Sequence, residues 1–378
     1  MKNILIVIES LQGGGAEKVL LDILNNISNK KYNIDLLLIN KTGIYLEEIQ
    51  KKYRVRYLMK DIVDLEDELV IRKIKSFIRI LKIKFMTSYI MSNLFKPDKY
   101  DIEIAFLEGV STKFVSNRNN KSKKIAWVHT DLKKNRRLTK KTELKVYKNM
   151  DKIICVSNDS ANSFKELYPI YSNKVEMIYN PINIEVIRKL SKINENKIIK
   201  IHHITNFITI GRLEKVKGYD ILLKAHKQLI EEGYNHNIYV LGQGKEYKNL
   251  KLYIDNNNLS NSVYLLGFKE NPYPYLNEAD VFISSSRYEG LSLVVCESMI
   301  LGKPIIATNC TGPRELLNDG EFGILAKIES VESLKSAMKE MIVSEQKRKY
   351  YSEKALERSK IFDLKETISK IEYLFDNI

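Results

Sequence analysis

No stretch of this 378-residue chain approaches the ~18 to 20 consecutive apolar residues that a membrane-crossing helix needs. Cysteine is scarce. Cys155, Cys296 and Cys310 lie in apolar surroundings, spaced neither for pairing nor for a metal site. That excludes a disulfide scaffold and fits the reduced core thiols of a cytosolic protein. There is no short-period repeat and no low-complexity tail. The opening MKNILIVIES turns polar too soon for a signal peptide and reads as a first buried strand. What is present is ordinary for a soluble globular protein, with 44% hydrophobic and 29% charged residues. The length exceeds one ordinary core and fits two domains.

Acidic residues are under-represented in one half only. Residues 1–180 hold 34 Lys+Arg against 21 Asp+Glu, whereas residues 181–378 hold 28 against 26, so most of the net charge of +15 sits in the first half. Such asymmetry points to an anionic partner: a membrane, a nucleic acid or a phosphorylated substrate. Nucleic acid fits poorly, because no aromatics interleave with a basic stripe and no recognition motif is present.

Short apolar runs alternate with helical patterns along the chain. Ile4–Ile8, Ile34–Ile39, Val55–Leu58, Ile102–Phe106, Lys124–Val128, Lys152–Val156 and Val175–Ile178 read as strands. After the turn-rich Tyr179-Asn180-Pro181-Ile182-Asn183 the pattern restarts with Phe207–Ile210, Asn237–Leu241, Ser262–Leu266, Val281–Ser284, Pro304–Ala307 and Gly323–Ala326. Apolar strands separated by helices predict parallel sheets covered on both faces. The expectation is an α/β protein of two Rossmann-like domains facing a cleft, 1–180 and 181–361, with a last helix at 362–378 crossing back to the first.

Three motifs carry chemistry. The glycines of LQGGGAEK separate the first strand from the first helix, where backbone can approach a ligand and helix N–H groups face an anion. The triplet is not GxGxxG, and it also reads as a flexible turn. In GRLEKVKG, after the strand Phe207–Ile210, Arg212 and Lys217 are placed to reach one point above the sheet edge. Two fixed cations there would stabilise the charge developing on a departing diphosphate. In SRYEGLSLVVCESMILGKP, Glu289 lies in a loop at a strand's carboxyl end and Glu297 about two turns on, near the start of a helix. Ligands of open α/β sheets sit in that crevice, and two acids there suit a ligand rich in hydroxyls, such as a sugar nucleotide.

GRLEKVKG followed by EGLSLVVCE resembles the retaining glycosyltransferases of the GT-B fold, family-4-like (glycosyl transferases group 1), of the bacterial surface-polysaccharide type. GGGAEK, NPYPYLNEADVFISSSRYEG and Gly312-Pro313-Arg314-Glu315 extend the resemblance over almost the whole chain. It implies that Glu297 binds the ribose hydroxyls and Glu289 hydroxyls of the donor sugar. Backbone N–H groups of Gly290, Leu291 and Ser292 would meet the sugar or diphosphate. Arg212 and Lys217 would neutralise the diphosphate, approached by Gly14 or Gly15. Phe268 lies where the family seats the base. Many members read EGFGL, so Leu291 and Ser292 depart from the pattern, and the fit around the sugar is open to difference. His129, in WVHTD, corresponds to a histidine facing the sugar near its reacting carbon; Asp131 beside it also reads as a cap for the next helix.

No Asp-x-Asp element is present, and the resemblance implies metal-independent transfer with no cofactor beyond the nucleotide-sugar donor, most simply a UDP sugar. Glycosidase-style roles for the two glutamates do not fit, since one of them is assigned to the ribose. Residues 71–86, IRKIKSFIRILKIKFM, place apolar residues on one helical face and cations largely elsewhere. Such a helix either packs its apolar face into the domain core or lies on an anionic bilayer. With the basic run 121–141 around His129, it suggests peripheral binding at the inner face of the cell membrane and a polyprenyl-diphosphate-linked or glycan acceptor. The alternatives are a small soluble acceptor, a non-catalytic sugar-nucleotide binder or a nucleic-acid binder.

Overall fold

The computed structural model describes residues 1–60, 99–118, 121–193 and 204–378. The basic segment 71–86 lies outside these. The chain divides into two compact units, Met1–Pro181 with Lys365–Ile378, and Ile182–Leu364.

Among the described residues of the first unit the apolar runs form seven parallel strands: β1 (Lys2–Ile8), β2 (Tyr32–Lys41), β3 (Arg54–Lys60), β4 (Ile102–Ala105), β5 (Lys123–Val128), β6 (Lys152–Cys155) and β7 (Val175–Met177). Their order is β3-β2-β1-β4-β5-β6-β7. The described residues of the second unit form six: β8 (Thr205–Ile210), β9 (His236–Leu241), β10 (Val263–Gly267), β11 (Val281–Ser284), β12 (Ile305–Thr308) and β13 (Ile324–Ala326), ordered β10-β9-β8-β11-β12-β13. Both units are Rossmann-like. Both reverse direction beside their first strand, at β1/β4 and at β8/β11, and such switch points open a crevice at the strands' carboxyl ends.

β-Branched and aliphatic residues explain the central strands, which are covered on both faces. Leu5, Val7, Leu37 and Val128 are at most 1% exposed in the first core, as are Phe207, Ile283, Ile306 and Met338, fully buried, in the second. Cys155, Cys296 and Cys310 are buried thiols. Burial pushes the Cys155 thiol up to about 12.

The last helix, Leu364–Asn377, belongs to the first unit. Ile371 and Phe375 bury its apolar stripe, and Phe375 meets Tyr32 edge-on at 5.6 Å. Lys2 Nζ donates to the Phe375 and Asp376 carbonyls at 2.7 and 3.0 Å, placing a cation on the negative end of the helix dipole. Glu372 accepts from Ser28 N at 2.9 Å and from Lys31 Nζ at 2.8 Å.

At the far end of the second sheet, His226 of the helix Tyr219–Glu231 and His236, which opens β9, form a buried relay. His226 Nδ1 lies 2.7 Å from His236 Nε2, His226 Nε2 lies 2.8 Å from Ser262 Oγ, and His236 Nδ1 lies 2.8 Å from the Tyr234 carbonyl. Burial pulls His226 down to about 3, with the His236 charge adding to it, and His236 down to about 4. Both rings are therefore neutral in the folded protein, while the unfolded chain takes up protons near pH ~6.5. The stabilisation is intact above that pH and is lost as pH falls from there through about 4 to 3. The ring resonances of His226 and His236 should hold their neutral-imidazole shifts down to pH ~5, and the urea midpoint should be lower there than at pH ~7.5. Titration of either ring near its ordinary value would contradict the buried relay.

Candidate functional site

The GRLEKVKG segment leaves β8 and makes a tight 3-10 turn, Lys215–Lys217. Gly218 then takes a left-handed conformation, φ 65°, before the helix Tyr219–Glu231 begins. A Cβ on Gly218 would lie 2.1 Å from the Ser285 carbonyl oxygen, so only glycine lets this turn press against the chain leaving β11. Ser285 Oγ donates to the Lys217 carbonyl at 2.8 Å. The result is an ammonium aimed across the switch point: Lys217 Nζ donates to Glu289 Oε1 at 2.5 Å. Glu289 Oε2 is buried without a partner.

This pair closes one side of a small hollow between the carboxyl ends of β8 and β11. Thr209, Tyr219, Ser284, Ser286 and Ser292 contribute its polar lining. An orphaned carboxylate oxygen costs roughly 1–3 kcal/mol when nothing donates to it. A ligand hydroxyl would meet that need.

Beyond the loop, Gly290 and the buried Leu291 and Ser292 lead into the helix Leu293–Ile300, with Ser292 as its N-cap residue. Glu297 is the fifth residue of that helix, in its middle rather than near its start, because the helix is only eight residues long. It is 5% exposed and accepts from Tyr273 Oη at 3.0 Å. The loop is backed by Gly312, at the start of the short helix Thr311–Leu316. A Cβ there would lie 1.6 Å from the Gly290 carbonyl oxygen.

Not every predicted residue gathers here. The Arg212 side chain is 74% exposed, 3.5 Å from Glu214 Oε1, and does not line the hollow. Phe268 follows β10 and is half exposed, also outside it. Lys217, Glu289 and Ser292 are brought together.

The first unit has its own cluster at the carboxyl ends of β1, β4 and β5. Gly14 is the N-cap of the helix Gly15–Asn26, and a Cβ on it would meet the Glu17 carboxylate at 2.4 Å. His129 follows β5, its ring centroid 5.0 Å from that of Phe106. The ring bonds the Phe106 carbonyl, whereas Nε2 is buried and unpartnered, which assigns the proton to Nδ1 and a lone pair to Nε2. Burial pulls the imidazole down to about 3. The loop is held by Glu108, whose Oε1 accepts from the His129 N–H, from Thr130 N at 2.8 Å and from Thr130 Oγ1 at 3.3 Å. Burial pushes the Glu108 carboxyl above its ordinary range, and its Oε2 is also unpartnered.

Asp131 does not cap a helix. Its Oδ1 accepts from Lys133 N at 2.9 Å and Ser163 Oγ at 2.6 Å, fixing a turn. Much of the basic run around it is neutralised: Lys133 pairs with Glu166, Arg136 with Glu143 and Arg137 with Glu9. Lys141, Lys145 and Lys148 remain exposed on the helix Lys140–Lys148, at a spacing that puts them on one face.

Sequence reasoning missed Glu108, Tyr273 and Arg287. Glu108 could have been noticed as an acid directly after an apolar strand and before a glycine; Tyr273 and Arg287 lie inside quoted motifs but carry no signal of their own. Among the described residues, no group of three His, Cys, Asp or Glu side chains could hold a metal. No helix there is long and apolar enough to cross a membrane.

Residues 13–186 match the family described as Glycosyltransferase Family 4, and residues 191–358 match Glycosyl transferases group 1. The chain is 29% identical over 371 residues to the N-acetylgalactosamine-N,N'-diacetylbacillosaminyl-diphospho-undecaprenol 4-alpha-N-acetylgalactosaminyltransferase of Campylobacter jejuni, covering 96% of each chain. It is 33% identical over 264 residues to an uncharacterized glycosyltransferase of Methanocaldococcus jannaschii, a match spanning 61% of this chain and 64% of that one. In fold it is similar to Anabaena HepE, solved with UDP-glucose, at a TM-score of 0.78, 19% identity and full coverage of both chains.

Proposed function

The chain belongs to the glycosyltransferases matched by the group 1 and family 4 descriptions, with two Rossmann-like units of the GT-B type, and from that premise we propose that it is a retaining, metal-independent hexosyltransferase. Its donor is a UDP-hexose or UDP-N-acetylhexosamine, and its acceptor a lipid-linked or surface-polysaccharide glycan at the inner face of the cell membrane. The observation that carries the donor half is Lys217 Nζ at 2.5 Å from Glu289 Oε1, with Glu289 Oε2 left open beside a serine-lined hollow.

In this reading Glu289 Oε2 accepts from a hydroxyl of the donor sugar. Glu297, steadied by Tyr273, takes the ribose hydroxyls. Lys217 exchanges part of its contact with Glu289 for the diphosphate, and its fixed charge stabilises the negative charge that develops as the bond to the sugar breaks. Arg212, exposed beside Glu214, adds a second cation; in the first unit, Gly14 and Gly15 offer backbone N–H groups to an anion. Phe268 stacks on the base. His129 Nε2, an acceptor in the neutral tautomer, takes a sugar hydroxyl. The leaving diphosphate helps to deprotonate the acceptor hydroxyl on the face it departs from, which retains configuration without a covalent intermediate.

The acceptor half rests on charge. Lys141, Lys145 and Lys148 suit an anionic bilayer, and the Campylobacter relative is named for a diphospho-undecaprenol acceptor. A donor screen with released nucleotide as signal, run with and without anionic vesicles, tests both halves. Consumption of a UDP sugar and salt-sensitive vesicle binding are expected. No turnover with any nucleotide sugar would overturn the donor reading, and absence of vesicle binding would redirect the acceptor to a small soluble molecule.

A further inference from the structure

We propose that Arg287, together with Asp220, is a positioning residue that locks the Lys217 turn and the Glu289 loop into one rigid unit and thereby sets the distance between the two charges. Arg287 lies two residues before Glu289, in the loop leaving β11. From that place it makes contacts in three directions. Its Nη1 and Nη2 donate to the two Asp220 oxygens at 2.9 and 2.8 Å, in the first turn of the helix that follows Lys217. Nη1 also donates to the Lys215 carbonyl, and the Arg287 backbone N–H donates to the Val216 carbonyl at 2.7 Å. Nε donates to Glu329 Oε1 at 2.9 Å.

These partners bracket Lys217 on both sides: Lys215 and Val216 immediately before it, Asp220 three residues after. Apart from the Lys217–Glu289 contact whose distance is at issue, the turn they fix is tied to the Glu289 loop by a side-chain hydrogen bond from Ser285 and by the close approach at Gly218. A planar guanidinium is the group that can serve a carboxylate bidentately while keeping further donors for a carbonyl and a second carboxylate. An ammonium has neither the fork nor the reach to hold all three. The Arg287 side chain is 18% exposed while Asp220 and Glu329 keep 47% and 64%, so the clamp is held by the bidentate fork and the bonds to main chain rather than by exclusion of water.

The consequence is catalytic precision without substrate contact. A displacement of about 1 Å at a reacting group costs about 100-fold in rate. The inference rests on the reading of Lys217 and Glu289 as donor-site residues, and the experiment separates the two. Steady-state turnover of the nucleotide sugar is measured per folded molecule for wild type, Lys217→Ala, Arg287→Ala, Arg287→Lys and Asp220→Asn, with thermal unfolding in parallel.

Arg287→Ala should lower kcat about 100-fold, with the KM for the donor moving far less, because Glu297 and Tyr273 stand outside the clamp. Arg287→Lys and Asp220→Asn each keep part of it and should lose about tenfold. If Arg287→Ala does not fold, these two milder variants carry the test. A lower unfolding temperature with unchanged kcat in the folded fraction would show a purely structural residue and overturn the proposal. Normal turnover by Lys217→Ala would instead overturn the donor-site reading beneath it.

Discussion

Replacing Lys217 with alanine should lower turnover about 100- to 1,000-fold while leaving the protein folded. Loss of one preorganised donor aimed at developing charge has that magnitude in other enzymes, and Lys217 Nζ is already aimed, at 2.5 Å from Glu289. The structural cost is smaller. Glu289 would lose its partner at Oε1, about 1–3 kcal/mol, and its site opens to water that can replace part of the bond. Both side chains keep some exposure, 23% for Lys217 and 15% for Glu289. The unfolding transition should therefore move modestly while the rate of nucleotide release collapses. Turnover within threefold of wild type would remove Lys217 from the chemistry.

A second large effect is expected from adding a single methyl group. Gly312→Ala should cost about 100-fold in turnover, through displacement of the Glu289 loop. The new Cβ would lie 1.6 Å from the Gly290 carbonyl oxygen and 3.2 Å from the Leu291 Cα. Carbon and oxygen do not approach that closely, so either the loop or the helix Thr311–Leu316 must retreat by more than an ångström. The backbone on both sides is main chain in a packed environment, which cannot yield as a side chain does. Gly290 directly follows Glu289, so retreat of the loop carries the carboxylate with it. The variant should also be less stable, and activity per folded molecule distinguishes the two losses. Full activity at unchanged stability would mean that the loop tolerates the movement. At Gly218, where a Cβ would also collide with main chain, left-handed backbone adds strain to the clash, so an alanine there confounds the two causes.

Thirteen strands were legible as apolar runs to within a few residues, and so was the restart of the pattern near residue 181. Period and β-branching report burial directly, and burial is what builds a parallel sheet. Motif spacing likewise pointed to Lys217, Glu289 and Glu297. It did not reveal that Lys217 and Glu289 touch, since residues 72 positions apart are joined only by the β8–β11 neighbour relation. Nor did it separate Lys217 from Arg212. Both are cations five apart, yet the left-handed turn at Gly218 directs one inward while the other stays 74% exposed. The basic run at 121–141 looked like a uniform field, but three of its cations are spent on Glu166, Glu143 and Glu9. Pairing of that kind depends on which elements the loop carrying Lys133, Arg136 and Arg137 lies against.

The sequence by itself determined the two-sheet architecture, the family and the residue types at the candidate donor site, because each is written in local pattern or in short motifs. Only the tertiary structure decided which of those residues act together. Glu108 beneath His129, Tyr273 on Glu297 and Arg287 across the Lys217 turn are all contacts between separate elements. Their reason is geometric: strands adjacent in a sheet are distant in the chain, and a side chain's partner is set by what the fold places within about 3 Å of it.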